Sequence, residues 1–242
     1  KRFSLKVIQP ILGKPMIYHV YSQAKKSKLL HNIIVATDSF QVVKVCESLS
    51  IPVILTSPQH QSGTERLIEV SQTLQKDIYV NIQGDEPLIQ GNMIDSLIYP
   101  LIDRDYHGIT TLKYRITDQK DLLNPHIVKV VCNQQDEALS FSRSPIISSV
   151  NASHDHDYKH IGIYAYPIDI LRQIAHLPPS GLEKKENLEQ LRFLENHIPI
   201  KVIESPFDTI GVDVPDDLLR VEKHLEEKII GVNGKKADGK KK

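Results

Sequence analysis

The sequence predicts an α/β protein with a doubly wound, mainly parallel sheet and a smaller antiparallel insertion. From residue 15 to residue 102, short runs rich in Ile and Val alternate with amphipathic segments of helix length. The short runs are apolar throughout, which indicates strands covered on both faces, as in parallel sheets with right-handed crossovers. Beyond Tyr106 the strands are joined by short polar turns such as Asn133–Asp136, which favours antiparallel pairing.

The first part of the chain predicts a repeated strand and helix unit. Apolar residues at three- and four-residue spacing mark the helices, and compact Ile/Val runs mark the strands. The predicted helices are Pro15–Leu30, Phe40–Leu49, Thr64–Gln75 and Met93–Ile102. The predicted strands between them are Ile33–Ala36, Val53–Leu55 and Ile78–Ile82.

The second part predicts antiparallel strands followed by a return of helices. The strands of the insertion are Gly108–Tyr114, Val128–Cys132, Ala138–Ser142 and His160–Tyr166. The helices that follow are Ile168–Ala175, Asn187–Glu195 and Pro215–Lys228, with a strand at Pro199–Ile203. No internal repeat or long linker separates the two parts. We therefore predict one domain over residues 1–230, with the insertion at about 106–166 docked on its sheet.

The composition is that of a globular protein with a sizeable core. Of 242 residues, 40% are hydrophobic and 25% are charged, and no apolar run approaches the roughly 18–20 residues of a membrane span. Cys46 and Cys132 lie in an apparent helix and an apparent strand, which gives a disulfide framework no support. A reducing compartment is indicated, and we expect a cytoplasmic protein without a membrane partner.

The formal charge of the chain is zero, but its end is basic. The segment Gly234–Lys242 carries five lysines and one aspartate, and we expect residues 231–242 to form a disordered tail. Attraction of RNA or a membrane surface to this tail is the alternative. Aromatic residues amount to 6% and are not interleaved with basic ones, so the sequence predicts no nucleic-acid partner.

Two acidic stretches, far apart in the chain, each follow what the pattern predicts as a buried strand. They are Ile78–Asp85 and Ile210–Asp213. If the fold brings Asp85 and Asp213 together, they form a site for Mg²⁺, which proteins usually hold with one or two carboxylates and substrate phosphates. The alternatives are a simple turn at Asp85 and, for Asp213, the capping region of the helix that begins near Pro215.

Two loops have the residues of a nucleotide site. Gln83 and Gly84 precede Asp85 at the end of a predicted strand, where ligands of doubly wound sheets bind. Glu86, in contrast, could equally be a solvated charge at the start of a helix. Ser62 and Gly63 precede a predicted helix, whose free backbone amides suit a phosphate, a ribose or a base edge. Thr64 as an ordinary helix cap is the alternative.

Six motifs carry a family resemblance. They are Gln83-Gly84-Asp85-Glu86-Pro87, Ser62-Gly63-Thr64-Glu65-Arg66, Phe141-Ser142-Arg143-Ser144, His160-Ile161-Gly162-Ile163-Tyr164, Glu186-Asn187-Leu188-Glu189-Gln190-Leu191-Arg192 and Gly211-Val212-Asp213-Val214-Pro215. From about Arg2 to His224 the chain resembles the 3-deoxy-manno-octulosonate cytidylyltransferases, or CMP-Kdo synthetases. The resemblance implies a fold like that of nucleotide-diphospho-sugar transferases and the transfer of CMP from CTP to the sugar acid Kdo, giving CMP-Kdo and pyrophosphate for lipopolysaccharide assembly.

The resemblance also implies roles for individual residues. Asp85 and Asp213 would hold Mg²⁺, and Arg2 and Lys6 would contact the triphosphate, Lys6 as a catalytic residue; solvent-exposed basic side chains are the alternative for both. The residues implied for the cytidine are Ser62, Gly63, Gln83 and, nearby, Arg66. The residues implied for Kdo are Arg143, His160, Tyr164, Glu189 and Gln190. A structural histidine at His160 and a solvated helix face with Glu–Arg pairing over Glu186–Arg192 remain open.

The start of the chain departs from the family pattern. Members open with a buried first strand and a basic loop, and the strand and the loop's first arginine have no counterpart ahead of Gly13-Lys14-Pro15. Because that strand is central, we expect its neighbours to be unpaired, apolar surface to be bare and CTP binding to be weak, and we expect an added upstream segment to rescue activity.

The resemblance further implies a homodimer, with the antiparallel segment as a plausible interface. Two other functions stay open: a cytidylyltransferase for another acidic sugar, such as a sialic acid, and a nucleotide or sugar-acid binding protein without catalysis. The first would differ in its substrate, and the second would bind CTP without releasing pyrophosphate.

Overall fold

The structure, a computed structural model, describes residues 5–102, 105–145 and 157–238, and the side chains as far as residue 228. A short 3-10 turn at Lys6–Ile8 comes first, and strands and helices alternate from Lys14 to Cys132. The helices are α1 (Met16–Ala24), α2 (Phe40–Ser48), α3 (Gly63–Thr73), α4 (Gly91–Ile102), α5 (Gln119–Leu123), α6 (Ile168–Ile174), α7 (Gly181–Glu186), α8 (Gln190–Glu195) and α9 (Pro215–Asp238). The strands are β1 (Pro10–Ile11), β2 (Lys14–Pro15), β3 (Val35–Thr37), β4 (Val53–Leu55), β5 (Ile78–Asn81), β6 (Ile109–Arg115), β7 (Lys129–Cys132), β8 (Ala138–Ser142), β9 (Tyr158–Pro167) and β10 (Ile200–Glu204).

The largest sheet has six strands and is mixed. Its order is β10, β6, β9, β7, β8, and β5 pairs with the second half of β9. β10 and β6 are parallel, whereas β9 runs antiparallel to β5, β6 and β7. The α/β class and the antiparallel strands are therefore as predicted. The main sheet is mixed and not mainly parallel, because among its described pairs only β10 with β6 is parallel. The segment at 106–166 is not an appendage, however, because β9 is ten residues long and joins β5 to β6 within the main sheet.

A second sheet holds β3 and β4, which pair in parallel from Val35 opposite Val53 to Thr37 opposite Leu55. Among the described strands, β3 pairs only with β4, and β5 pairs only with β9. A cavity of about 1160 Å³ is lined by residues of β3, β5 and the helices on either side. The apolar side chains in its lining include Ile17, Val20, Val42, Val70, Ile98 and Leu101. Among the described strands the expectation of unpaired edges is confirmed. The expectation of bare apolar surface is not, because these six side chains are each less than 9% exposed and line an internal cavity.

The two faces of the main sheet carry separate cores. On one face, Phe141, Tyr166 and Phe193 are almost fully buried in a cluster with residues of α6 and α8. On the other, α4 contributes Met93, Ile94, Leu97, Ile98 and Leu101, whose three- and four-residue spacing places them on one helix face. Each fully buried side chain of this size contributes about 1.5–3 kcal/mol, so α4 is fixed firmly beneath the sheet.

Several segments differ from their predictions, and α5 and the two-residue strands β1 and β2 were not predicted. α1 ends at Ala24, before Leu30, because the carboxylate of Asp95 accepts hydrogen bonds from the backbone N–H groups of Lys28 and Leu29 and from the Ser27 hydroxyl, which holds this segment off the helical path. α7, which the sequence analysis missed, is formed with a capping box between Ser180 and Glu183.

Ile210–Asp213 is not a strand, since β10 ends at Glu204 and this segment continues without ladder pairing. The last helix continues to Asp238, so the structure is helical through residue 238 where the sequence predicted a disordered tail; residues 239–242 lie outside the described part. Within the described ranges, no helix combines the length and the apolar character needed to cross a membrane.

Candidate active site

The loops predicted to bind the nucleotide lie at the carboxyl ends of β3, β4 and β5. In the first turn of α3, the Arg66 guanidinium contacts Asp38, which follows β3, at 3.3 Å, and also donates to the hydroxyl of Thr56, which follows β4. Gly63 at the start of α3 lies against Asn81 and Gln83 at the end of β5. The start of α3 therefore gathers three strand ends, the position at which α/β sheets bind ligands.

Lys6 joins the two acidic loops. Its ammonium nitrogen lies 2.6 Å from Asp85 Oδ2 and 3.0 Å from Asp213 Oδ1. The convergence of these aspartates, 128 positions apart in the sequence numbering, is thus present in the fold. Burial lowers the pKa of Lys6, but the charges and hydrogen bonds of Asp85 and Asp213 outweigh it and raise that pKa overall. Lys6 is a paired, mostly buried cation, and the alternative of a solvent-exposed basic residue is wrong.

A backbone contact fixes the acidic loops to each other. The N–H of Val212 donates to the carbonyl oxygen of Asp85 at 2.9 Å. The side chain of Asp213 is directed to Lys6, while Asp217 accepts from the N–H groups of Asp213 and Val214 at the start of α9. The capping function at this helix start therefore belongs to Asp217, and Asp213 is left 80% exposed for another ligand.

Glu86 is the largest departure from the expected site. Its Oε2 is buried and has no hydrogen-bond partner among the described residues, and its Oε1 lies so close to Gly211 that a Cβ there would be 3.0 Å away. Burial, with the neighbouring charge of Asp85, raises the pKa of Glu86 to about 7. The interpretation of Glu86 as a solvated charge at the start of a helix is wrong, since the carboxyl group is folded inward against the second acidic loop.

The nucleotide loop is organised by Ser62 as the N-cap of α3. Ser62 Oγ accepts from the N–H of Glu65 at 3.2 Å, so Ser62, and not Thr64, is the cap. A side chain on Gly63 would place its Cβ 2.8 Å from Gln83 Nε2, which explains the glycine at this close approach. Ser62, Gly63 and Gln83 therefore lie together, with the free amides of the α3 start beside the Gln83 carboxamide.

Thr64 has a different partner. Its hydroxyl donates to Glu189 Oε2 at 2.6 Å, and Ser62 Oγ donates to Glu189 Oε1 at 2.6 Å. The phenol of Tyr166 lies 3.3 Å from Thr64 Oγ1. The sequence analysis did not identify Thr64 and Tyr166 as candidate site residues. A threonine at the start of a helix is typical of an N-cap, and a tyrosine in a strand is typical of the hydrophobic core.

The aromatic side of the site is built on β9. His160 lies between Phe141 and Tyr164, with ring centroids 5.0 Å and 5.3 Å away, and its Nε2 is 3.0 Å from the hydroxyl of Thr111. Burial lowers the pKa of His160 to about 3 and raises that of the Tyr164 phenol, so both rings are neutral at physiological pH. These contacts give His160 a structural role, and its ring also lies beside that of Tyr164, as the sequence motif placed them.

Arg143 and the segment before α8 lie on the same side. Backbone carbonyls of Glu186, Pro125 and Asn187 accept from the Arg143 guanidinium at 3.1, 3.3 and 3.4 Å. Gln190 is 6% exposed. Arg192 is also buried and forms a two-point ion pair with Glu183 of α7, so the interpretation of Glu186–Arg192 as a solvated helix face is wrong. Arg2 lies outside the described residues.

The paired carboxylates suit a hard divalent cation. Asp85 and Asp213 offer oxygen donors and already bind one cation, the ammonium of Lys6. The unpartnered oxygen of Glu86 adds a polar group next to Asp85. The donor set thus fits Mg²⁺ held by two carboxylates together with oxygens from a substrate phosphate.

Comparisons with known proteins agree with this geometry. Residues 1–203 match the sequence profile of the cytidylyltransferase family. The 3-deoxy-manno-octulosonate cytidylyltransferase of Geobacter metallireducens is 43% identical, over 93% of this chain and 92% of the relative. The enzyme of the same description from Thermodesulfovibrio yellowstonii is 44% identical, over 93% of each chain.

Solved structures give the same result. A structure of CMP:2-keto-3-deoxy-manno-octonic acid synthetase complexed with CTP superposes with a TM-score of 0.88 at 38% identity, covering 94% of each chain. A cytidylyltransferase from Leptospira borgpetersenii shares the fold alone, with a TM-score of 0.61 at 15% identity over 98% of this chain and 90% of that one.

Proposed function

The chain belongs to the cytidylyltransferase family, and within it to the 3-deoxy-manno-octulosonate cytidylyltransferases, and from this premise we propose how its residues carry out the reaction. The protein is a nucleotidyltransferase that transfers CMP from CTP to Kdo, giving CMP-Kdo and pyrophosphate for lipopolysaccharide biosynthesis. The observation that carries the proposal is the convergence of Asp85 and Asp213 on Lys6 beside the start of α3.

In this reaction the anomeric hydroxyl of Kdo forms a bond to the α-phosphorus of CTP. The bond from that phosphorus to the bridging oxygen breaks, pyrophosphate leaves, and the hydroxyl loses its proton. The two substrates are both anionic, so the site must offset negative charge and align the nucleophile with the leaving group. The protonated Lys6 supplies one positive charge at the junction of the acidic loops.

Asp85 and Asp213 would hold Mg²⁺, whose chemistry is to neutralise triphosphate charge and polarise the reacting oxygens. Lys6 and Arg2 would supply the positive charge that contacts the triphosphate. The hydrogen bond from the Val212 N–H to the Asp85 carbonyl oxygen holds the two acidic loops together. The buried carboxyl group of Glu86 lies against Gly211 at the same junction.

Cytidine binding is assigned to the loop at the start of α3. The amides after Ser62 and Gly63 are free to donate, and Gln83 offers a donor and an acceptor in the same place. Arg66 supports this loop through Asp38 and Thr56, which fixes its position relative to β3 and β4.

Kdo binding is assigned to the opposite side. Arg143 provides positive charge for the carboxylate of the sugar acid, and His160 and Tyr164 form a neutral wall. Glu189 and Gln190 provide groups for sugar hydroxyls. His160 and Tyr164 on β9, and Glu189 and Gln190 at the start of α8, are held by elements that pack in the main core.

We also propose a homodimer that uses the outer strand of the main sheet. β8 is the last strand in the sheet order, and Leu139 on it is 62% exposed. An apolar side chain on a sheet edge favours contact with a second copy. We expect light scattering to give twice the chain mass, and Leu139→Lys to reduce it; a monomeric wild type would contradict the proposal.

The function is tested by pyrophosphate release from CTP, Mg²⁺ and Kdo, with N-acetylneuraminate as the competing acidic sugar. We expect pyrophosphate release with Kdo and none with N-acetylneuraminate. Release only with the sialic acid would indicate a cytidylyltransferase for another acidic sugar, and CTP binding without release would indicate a non-catalytic binding protein.

A further inference from the structure

We propose that Glu189 is a positioning residue for the nucleotide loop, in addition to its place on the sugar side. The inference rests on the proposed function, because that function assigns the start of α3 to cytidine. A single carboxylate would then connect the two substrate sides, so that a change at Glu189 alters CTP binding even when no sugar acid is present.

The first support is the geometry of the two contacts. Ser62 Oγ donates to one oxygen of Glu189 and Thr64 Oγ1 donates to the other, each at 2.6 Å. Hydrogen bonds to a carboxylate are short and stronger than those between neutral groups. Each carboxylate oxygen therefore holds one hydroxyl on either side of Gly63.

The second support is the direction of these hydrogen bonds. Since the Ser62 hydroxyl proton is used for Glu189, its oxygen is free to accept from the N–H of Glu65, which is the N-cap contact of α3. Thr64 likewise donates to Glu189 and can accept from the phenol of Tyr166. The carboxylate thus sets the orientation of both hydroxyls at the start of the helix.

The third support is the crowding at Gly63. Its ideal Cβ would lie 2.8 Å from Gln83 Nε2 and 3.0 Å from Asn81 Nδ2, so the loop and the end of β5 touch at this point. A shift of Ser62 or Thr64 moves Gly63 relative to Gln83. The position of the amides that face the nucleotide therefore depends on Glu189.

Glu189 is itself rigidly placed. Its neighbours Leu188 and Gln190 are 5% and 6% exposed, and Arg192 anchors the same segment to Glu183 of α7. The carboxylate is more than 120 positions from Ser62 and Thr64 in the sequence, so only the packing of α8 against the main sheet brings it to the start of α3.

The test compares Glu189→Gln with the wild type by calorimetric CTP binding without Kdo. The glutamine keeps the volume but presents an amide donor to one hydroxyl, so about tenfold weaker CTP binding is expected from the loss of a charged hydrogen bond. Glu195→Gln, which removes one exposed charge from α8, is the matched control and should bind CTP as the wild type does.

A second readout does not depend on catalysis. Hydrogen exchange at the N–H of Glu65, which is bonded to Ser62 Oγ, should be several-fold faster in Glu189→Gln. Ser62→Ala combined with Thr64→Val should weaken CTP binding to the same extent, and adding Glu189→Gln to that pair should change it less than twofold. The double variant Ser62→Ala with Thr64→Val tests the same proposal if Glu189→Gln does not fold.

The outcomes separate the two claims. Unchanged CTP affinity and unchanged Glu65 exchange in Glu189→Gln, with a raised KM for Kdo alone, would make Glu189 a sugar contact only and overturn the inference. A wild type that binds CTP but releases no pyrophosphate with Kdo would overturn the proposed function and leave the exchange result to decide the role of Glu189.

Discussion

Lys6 is the residue through which the two acidic loops become one site. Its ammonium is shared by Asp85 and Asp213, and the partial burial of Lys6 and Asp85 is tolerable because their charges are of opposite sign. The sequence identified both aspartates and Lys6, but it could not show that a lysine lies between them. That arrangement depends on a 3-10 turn packing against α1 and α2.

Substituting either aspartate should abolish most turnover. We expect Asp85→Asn and Asp213→Asn each to lower kcat by about 10²–10³-fold, since each removes one of the two carboxylates that would hold the Mg²⁺ whose charge offsets that of the phosphates. Pyrophosphate release under saturating CTP, Mg²⁺ and Kdo measures this. Asp216→Asn, an exposed acid at the start of α9, is the control, and wild-type rates in both site variants would reject the metal assignment.

His160 should make stability depend on pH. Its pKa is about 3 in the folded protein and about 6.5 when unfolded, so the unfolded state binds more protons between these values. Stability therefore falls as pH decreases through this window. Between pH 7 and pH 5 we expect the wild type to lose about 1–2 kcal/mol more than His160→Gln.

Urea unfolding at the two pH values measures the effect. His176→Gln, at an exposed histidine, is the matched control and should lose as much stability as the wild type. Identical pH dependence in wild type and His160→Gln would show that the histidine is not held neutral by the fold.

Among the elements, those with a strong local pattern were predicted closely. β4 and β8 have the predicted bounds, and α2, β5 and β9 differ by a few residues at most. α1 is shorter because a distant carboxylate, Asp95, binds the backbone after Ala24. The predicted strand before Asp213 is a loop, because no neighbouring strand edge pairs with it.

The pair of α7 and α8 depends on one buried ion pair. The side chains of Arg192 and Glu183 are 7% and 14% exposed, and Arg192 donates twice to the carboxylate. Arg192→Met should destabilise the protein by about 3 kcal/mol, because it leaves the Glu183 charge buried without its partner. Urea unfolding at pH 7 measures the loss.

Removing both charges should cost less than removing one. The double variant Arg192→Met with Glu183→Gln keeps an acceptor for the capping box and leaves no unpaired charge, so we expect it to recover at least about 1 kcal/mol. A double variant less stable than Arg192→Met would contradict this account of α7 and α8.

At the level of the whole molecule, β3 and β5 each have one edge without a partner among the described strands. The cavity beside them is lined by apolar side chains of both strands and the flanking helices, together with polar residues at the strand ends. One extended segment with apolar residues on both faces would pair with both edges and bury this lining.

An added upstream strand should therefore stabilise the protein. We expect a variant that carries five or so alternating Val and Ile residues, joined ahead of the chain by a flexible linker, to raise Tm by about 5–10 °C and to bind CTP more tightly. Calorimetry measures both effects. The same extension with Ser and Asn in place of Val and Ile is the control, and equal Tm values for the two would contradict the prediction.

The sequence by itself determined the α/β class and most helices and strands, and it predicted the acidic and nucleotide loops, because local periodicity and short motifs depend on neighbouring residues. Only the tertiary structure decided that β9 connects β5, β6 and β7 in one mixed sheet, and that Lys6 lies between Asp85 and Asp213. It also decided that the Glu86 carboxyl group is turned inward, and that Glu189 accepts hydrogen bonds from the hydroxyls of Ser62 and Thr64 at the start of α3. These contacts join residues distant in the chain, and their formation depends on the packing of whole elements, which no local pattern encodes.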